Sequence, residues 1–239
     1  MAKEFIQNVF LTDFSTKFKL EVGTVDTAKS REIYMQFYPA ITEGEKETIK
    51  KNNPQINVNN IVYNNDISKI TSIFLPINEA GYLNQYLKKY NNSGEEGLKV
   101  FFQQLQFVNR KLVEVDNQNP IKNKLHFYHK SKQDTKNIYI GLLEKTKTPY
   151  IQIKSVKGKY VLFPISNPDL LQLVLEQAII DKLNYNKEQN LINNIQKSII
   201  NKIKMNKLKN KELSNNSTKD KTNKQLTDKF YNTIEPDLM

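Results

Sequence analysis

The sequence predicts an α+β protein: two tandem ββββα repeats with antiparallel sheets, a linking helix, then a C-terminal basic helix and a disordered tail. Three observations carry that expectation. Apolar and polar residues alternate with period two in several short runs. The same order of runs returns later in the chain. Two strand-to-helix junctions also match closely: Phe74-Leu75-Pro76-Ile77-Asn78 lies over Leu162-Phe163-Pro164-Ile165-Ser166, and Tyr82-Leu83-Asn84-Gln85-Tyr86-Leu87 over Leu170-Leu171-Gln172-Leu173-Val174-Leu175.

In the first repeat, about 15–92, Phe18, Leu20 and Val22 alternate with Lys17, Lys19 and Glu21, and Ile33, Met35 and Phe37 with Tyr34, Gln36 and Tyr38. Each run reads as a strand with one buried and one wet face. Thr42–Glu47 reads as a polar loop. The segments Ile56–Tyr63 and Ile70–Leu75 read as two more strands. Pro76-Ile77-Asn78 then opens a helix, with Asn78 as N-cap and Tyr82, Leu83, Tyr86, Leu87 and Tyr90 as its stripe. Residues 95–115 form the linking helix, with Leu98, Phe101, Phe102, Leu105, Val108 and Leu112 on its apolar face.

The second repeat, about 122–183, sets Leu125, Phe127 and His129 against Lys124, His126, Tyr128 and Lys130. Ile138, Ile140 and Leu142 alternate with Tyr139, and Ile151 and Ile153 with Tyr150, Gln152 and Lys154. Tyr160–Phe163 ends at Pro164, and Ser166 caps a helix carrying Leu170, Leu171, Val174, Leu175, Ala178, Ile179 and Leu183. The domain division is therefore a tandem region 1–183, a basic amphipathic helix 184–212 striped by Leu191, Ile192, Ile195, Ile199, Ile203 and Met205, and a flexible tail 213–239 too polar to offset its ordering entropy. The basic helix covers the sheet or joins a partner chain; the sequence leaves both open.

Composition narrows the chemistry. The 239 residues contain no cysteine, which excludes disulfides, thiolate metal sites and a cysteine nucleophile. The formal charge is +11, and residues 184–239 contribute 11 Lys against 6 acids. The many Asn and Lys fit an AT-rich genome, such as that of a phage, plasmid or bacterium. No apolar run approaches the roughly 20 residues of a membrane span, and the N-terminus lacks a signal-peptide pattern. The expectation is a cytoplasmic protein with no membrane attachment. The seven glycines form no phosphate-binding loop, and no nucleophile elbow or local carboxylate pair is present. His126 and His129 leave a strand on opposite faces and do not share a metal. The sequence thus gives no catalytic residue, cofactor, metal or small-molecule substrate, and the chain reads as no enzyme.

The wet strand faces carry the positive signal. The first repeat offers Lys17, Lys19, Tyr34, Gln36 and Tyr38. The second offers Lys124, Tyr128, Lys130, Tyr139, Tyr150, Gln152 and Lys154, with Lys157 and Lys159 in the turn Lys157-Gly158-Lys159. Rings interleaved with cations suit single-stranded nucleic acid, because exposed bases stack on rings and Lys neutralises phosphates. The bland alternative is a solvated sheet rich in Tyr for its β propensity.

This layout resembles the single-strand-binding superfamily that includes the Whirly proteins, the Pur-alpha repeats and positive cofactor four. The resemblance covers about residues 15–183. It rests on element order, the strand–Pro–cap–helix junctions and Lys157-Gly158-Lys159, which looks like the lysine–glycine–lysine motif of Whirly proteins. It implies curved antiparallel sheets on which single strands lie, and oligomers formed through helices. The sequence therefore points to a non-enzymatic single-stranded DNA- or RNA-binding protein in replication, recombination or transcription, possible as a homo-oligomer through its helices. The alternative is a virion- or scaffold-type assembly protein that uses its helices for protein contacts; a nuclease ranks last.

Overall fold

The computed structural model describes residues 7–27, 30–55, 57, 62–116, 118–130 and 134–231, with side chains as far as residue 205. The chain divides into two compact units, Met1–Asn186 and Lys187–Met239. The fold is α+β.

In the first unit, β1 (Gln7–Phe14), β2 (Phe18–Asp26), β3 (Arg31–Pro39) and β4 (Thr71–Leu75) form an antiparallel sheet in that order. β1 was not expected, because a register shift between Val9 and Leu11 breaks the period-two pattern that would have marked it. The expected loop Thr42–Glu47 is instead the start of α1 (Glu43–Asn52), nucleated by a capping box. Thr42 N donates to Glu45 Oε2 at 2.8 Å, and Glu45 N donates to Thr42 Oγ1 at 3.4 Å. Of the expected strand Ile56–Tyr63, residues 56 and 58–61 lie outside the described residues, and Tyr63 makes an isolated bridge to Ala40.

α2 (Ile77–Val108) contains both helices expected over this stretch, joined at Gly94, whose φ of 56° and ψ of −136° suit glycine. Its N-cap position is Pro76 rather than Asn78. The chain folds back after Gly94, so that Gly97 packs on the earlier helical segment. A Cβ at Gly97 would lie 2.3 Å from the Lys89 carbonyl oxygen. Tyr86, Phe101 and Phe102 lock the two segments edge to face, with centroids 5.4–6.1 Å apart. The second segment ends at Val108, short of the expected 115. A 3-10 turn at Arg110–Leu112 follows, then β5 (Val113–Glu114), a strand the sequence reading did not contain.

β5 pairs with β6 (Lys124–Lys130), and β7 (Thr135–Leu142), β8 (Pro149–Ser155) and β9 (Tyr160–Pro164) complete a five-stranded antiparallel sheet. α3 runs from Pro168 to Tyr231. Asn167 takes the capping role foreseen for Ser166: its Oδ1 accepts from Leu170 N at 3.1 Å.

The inner faces of both sheets, both segments of α2 and the first turns of α3 bury one continuous apolar cluster. Phe37 of β3 meets Phe163 of β9 edge-on, with centroids 5.8 Å apart, and both are fully buried. α3 is clasped to the β2–β3 hairpin at its rim. Arg31 bridges Asp26 at 2.7 Å and Asp181 at 2.8 Å, Thr24 Oγ1 donates to Asp181 at 2.7 Å, and Lys182 pairs with Glu32 at 2.6 Å. No helix among the described residues is long and apolar enough to cross a membrane.

Two outcomes are expected from this packing. Gly97→Ala lowers the melting temperature, since backbone must move to admit a methyl group, at a cost of about 1–3 kcal/mol. Gly81→Ala, in α2 with open space around its Cβ position, raises stability by about 0.5–1 kcal/mol. Thermal melts of the two variants check the pair. Acid is expected to loosen the clasp. The hydrogen bond from Arg31 holds Asp26 below its ordinary 3.8. Burial raises Glu32, but bonds from Lys182 and Ser30 outweigh it and leave the group below 4.5. Carboxylates with depressed folded values contribute stability above their unfolded values and lose it as pH falls through the folded ones. The melting temperature should therefore drop below about pH 4, and Asp26→Asn should flatten that drop.

Candidate nucleic-acid interface

Antiparallel register sorts the outward residues of the second sheet into rows. One row runs Tyr128, Asn137, Lys154, Tyr160 from β6 to β9. The next runs His126, Tyr139, Gln152, Leu162, and a third Lys124, Gly141, Tyr150, Pro164. Strand spacing of about 4.8 Å puts roughly 14 Å between the ends of a row. Tyr128 is 57% exposed and Tyr160 53%. Tyr139 is half-buried, with His126 stacked on its ring at 4.6 Å and 12°. Lys124 Nζ and Lys154 Nζ lie 5.9 and 5.6 Å from that ring's centroid. Gln152 Nε2 donates to the Tyr160 hydroxyl at 2.8 Å and fixes it. Lys130 and Lys154 are exposed, and among the described residues neither they nor Lys124 pairs with a carboxylate. Burial raises the Tyr139 phenol, so it stays neutral and can donate.

Tyr150, expected on this surface, is 7% exposed. Its hydroxyl reaches the strand position opposite, Gly141, where an added Cβ would lie 3.3 Å away. The absent side chain leaves room for the ring to lie down on the sheet, and burial raises its phenol. The first sheet repeats the device. Tyr34 is 1% exposed, sits opposite Gly23, and its hydroxyl would lie 3.1 Å from a Cβ there. Both tyrosines thus depart from the expected wet faces and lie toward a glycine, although at Gly23 the Asn8 carbonyl oxygen comes closer still, at 1.9 Å from an added Cβ. Neither belongs to the main apolar cluster.

The rest of the first sheet's outer face is satisfied within itself. Lys19 Nζ pairs with Glu21 at 2.8 Å and lies 3.8 Å over the Tyr38 ring. The Tyr38 hydroxyl donates to Glu21 Oε2 at 2.6 Å, and Gln36 Oε1 stands 2.8 Å from the same hydroxyl. Gln7 Nε2 donates to Tyr34 at 2.7 Å. Burial and the nearby Glu21 raise Tyr38 far above the usual phenol range. Of the turn lysines, Lys157 is exposed, but Lys159 Nζ donates to the Ser68 and Ile70 carbonyls at 2.6 and 3.2 Å. Lys159 therefore clamps the chain ahead of β4 instead of facing solvent.

Lys17 is exposed in the β1–β2 turn, and Ser15–Phe18 line a groove together with Tyr160, Leu162 and Pro164. The structure thus brings Lys17 to the second sheet rather than leaving it with Lys19. Sequence reasoning missed Tyr160. The alternation Tyr160-Val161-Leu162-Phe163 was signal enough, because a buried Phe163 turns Tyr160 outward. Phe14 and Phe74, exposed on the first sheet, were missed as well. Among the described residues no group of three His, Asp or Glu could hold a metal.

No protein-family model matches the chain, and no curated protein matches it. Among solved structures, the chain is similar to the plant transcriptional regulator PBF-2, at 11% identity over 80% of this chain and 90% of that one, with a TM-score of 0.42. It is also similar to WHY1 from Arabidopsis thaliana, at 12% identity over 82% of this chain and 94% of that one, with a TM-score of 0.43.

Proposed function

We propose that the protein binds single-stranded DNA or RNA, without catalysis, on the outer face of its second sheet, in replication, recombination or transcription. One observation carries the reading: Tyr128, Tyr139 and Tyr160 share a face with Lys124, Lys130 and Lys154, and among the described residues no carboxylate neutralises those lysines. Bases of a single strand stack on the rings at about 1–3 kcal/mol each, while the cations follow the phosphates. Duplex hides its bases and meets only the cations. The proposed contacts centre on this sheet with Gln152 between the rings, Lys17 at its edge and Lys157 in the adjoining turn. Lys19, Tyr34, Gln36, Tyr38, Tyr150 and Lys159 are already engaged by the protein itself.

A second reading, an assembly protein, is favoured by one feature of the second unit. Leu191, Ile192, Ile195, Ile199 and Ile203 form an apolar stripe, each residue 44–61% exposed. Homo-oligomers through this helix remain part of the proposal, as does the division into a tandem region 1–183, basic helix 184–212 and tail 213–239.

Fluorescence anisotropy with a labelled oligothymidine tests the binding. Four phosphate contacts imply a loss of roughly 50-fold in affinity between 50 and 200 mM salt, from a slope of about −0.7 per contact. Tyr128→Ala and Tyr160→Ala are expected to weaken binding by about 5- to 150-fold, and the Phe variants far less. Lys19→Ala and Tyr38→Ala are expected to stay within about threefold of the parent. Sheet-two alanine variants that bind as well as the parent would remove the proposal.

A further inference from the structure

The outward surface of the second sheet continues past its edge strand. Tyr160, Leu162 and Pro164 of β9 form one wall of a groove of about 350 Å³, and Ser15, Thr16, Lys17 and Phe18 of the β1–β2 turn form the other. Both walls are anchored. Ser166 Oγ, just after β9, donates to the Asp13 carboxylate, whose oxygens lie at 2.7 and 2.9 Å. The Tyr63 hydroxyl donates to the Ser15 carbonyl at 2.9 Å, and Ala40 N to the Lys17 carbonyl at 2.8 Å. Within the turn, Ser15 N donates to the Phe18 carbonyl at 2.8 Å. The cleft is therefore a feature of the packed fold and not the gap beside a loose loop.

Its lining is mixed in a specific way. Leu162, Pro164 and Phe18 give an apolar floor, Tyr160 stands at one rim with its hydroxyl tied to Gln152, and Lys17 and Thr16 stand exposed at the other. Among the described residues Lys17 pairs with no carboxylate. A flat apolar ring carrying an anion next to it satisfies that lining. The volume lies at the small end of the range for ligand sites, about 300–1,000 Å³, and so suits one ring system rather than several.

We propose that this groove is a nucleobase subsite. It takes one unstacked base from a single strand lying on the second sheet, with the base against Tyr160 and the Leu162–Pro164 floor and the adjoining phosphate at Lys17. The Thr16 hydroxyl meets the base edge. The inference rests on the binding reading above. Tyr160 joins the two, since it ends the row that begins at Tyr128 and also forms the rim of the groove. That continuity favours a strand over an acidic aromatic peptide, which the lining alone would also accept.

The test uses the full chain and a labelled 12-nucleotide oligothymidine at 50 mM salt, plus the same strand with 5-iodouracil for photo-crosslinking. Thr16→Glu places a carboxylate in the groove at an exposed turn position. Thr12→Glu adds the same charge on the outer face of the first sheet and controls for bulk electrostatics. The expected result is a loss of about tenfold for Thr16→Glu against less than about twofold for Thr12→Glu, with crosslinks at Tyr160 or Phe18. Lys17→Ala gives a second loss and a shallower salt dependence. Equal effects of the two Glu variants, with Tyr128→Ala still weakening binding, overturn the groove and leave the sheet reading standing. Failure of the parent chain to bind the strand overturns both, and a labelled Asp/Glu-rich peptide held in a Thr16→Glu-sensitive way in its place identifies the groove as a peptide site.

Discussion

Every strand of the two sheets has one face committed to a shared apolar core, and that commitment decides which side chains remain for anything else. Burial of Leu20, Met35 and Phe37 from one sheet against Phe127, Ile151 and Phe163 from the other is non-directional and large, at roughly 1.5–3 kcal/mol for each fully buried side chain. Period-two geometry then turns alternate residues outward without choice. The two outward faces are by-products of the same constraint, and they differ only in what lies beside the aromatic rings.

That difference comes down to few residues. On the first sheet Glu21 stands between Lys19 and Tyr38, takes the ammonium and accepts the phenol proton, and so closes the surface on itself. On the second sheet no acid occupies the centre. Glu114 sits at the margin, 3.7 Å from the His126 ring, and His126 spends its other nitrogen on Asn137 at 2.9 Å. A lysine paired at short range offers little to a phosphate, because the incoming anion must displace a carboxylate that is already in place. Counting Tyr and Lys on a face therefore overstates its capacity to bind, and tracing where each charge already goes corrects the count.

The longer strands of the second sheet were legible because they are regular: Leu125–Phe127, Ile138–Leu142 and Ile151–Ile153 mark its inner face directly. β1 was not, since its bulge shifts the phase partway along. α1 was hidden by its polarity, although Thr42 and Glu45 carry the spacing of a capping box. At the site, alternation told which side Tyr34 and Tyr150 leave the backbone but not whether the rings stand or lie flat, which depends on the residue opposite. Lys159 was misread for a different reason. Its acceptors, the Ser68 and Ile70 carbonyls, are 91 and 89 residues away, beyond what local pattern can reveal.

The glycine–tyrosine pairing is less symmetrical than it looks. Gly23 with Tyr34, and Gly141 with Tyr150, look like matched sets, but the atoms around each glycine differ. At Gly23 an alanine methyl would run into the Asn8 carbonyl oxygen at 1.9 Å and push β1 away from β2, whereas at Gly141 it would ask only a few tenths of an ångström of yielding from Lys124, the Asn123 carbonyl and the Tyr150 hydroxyl. The two glycines are thus held by unequal constraints: loss of the first forces a neighbouring strand aside, while loss of the second asks only small adjustments of the atoms around it.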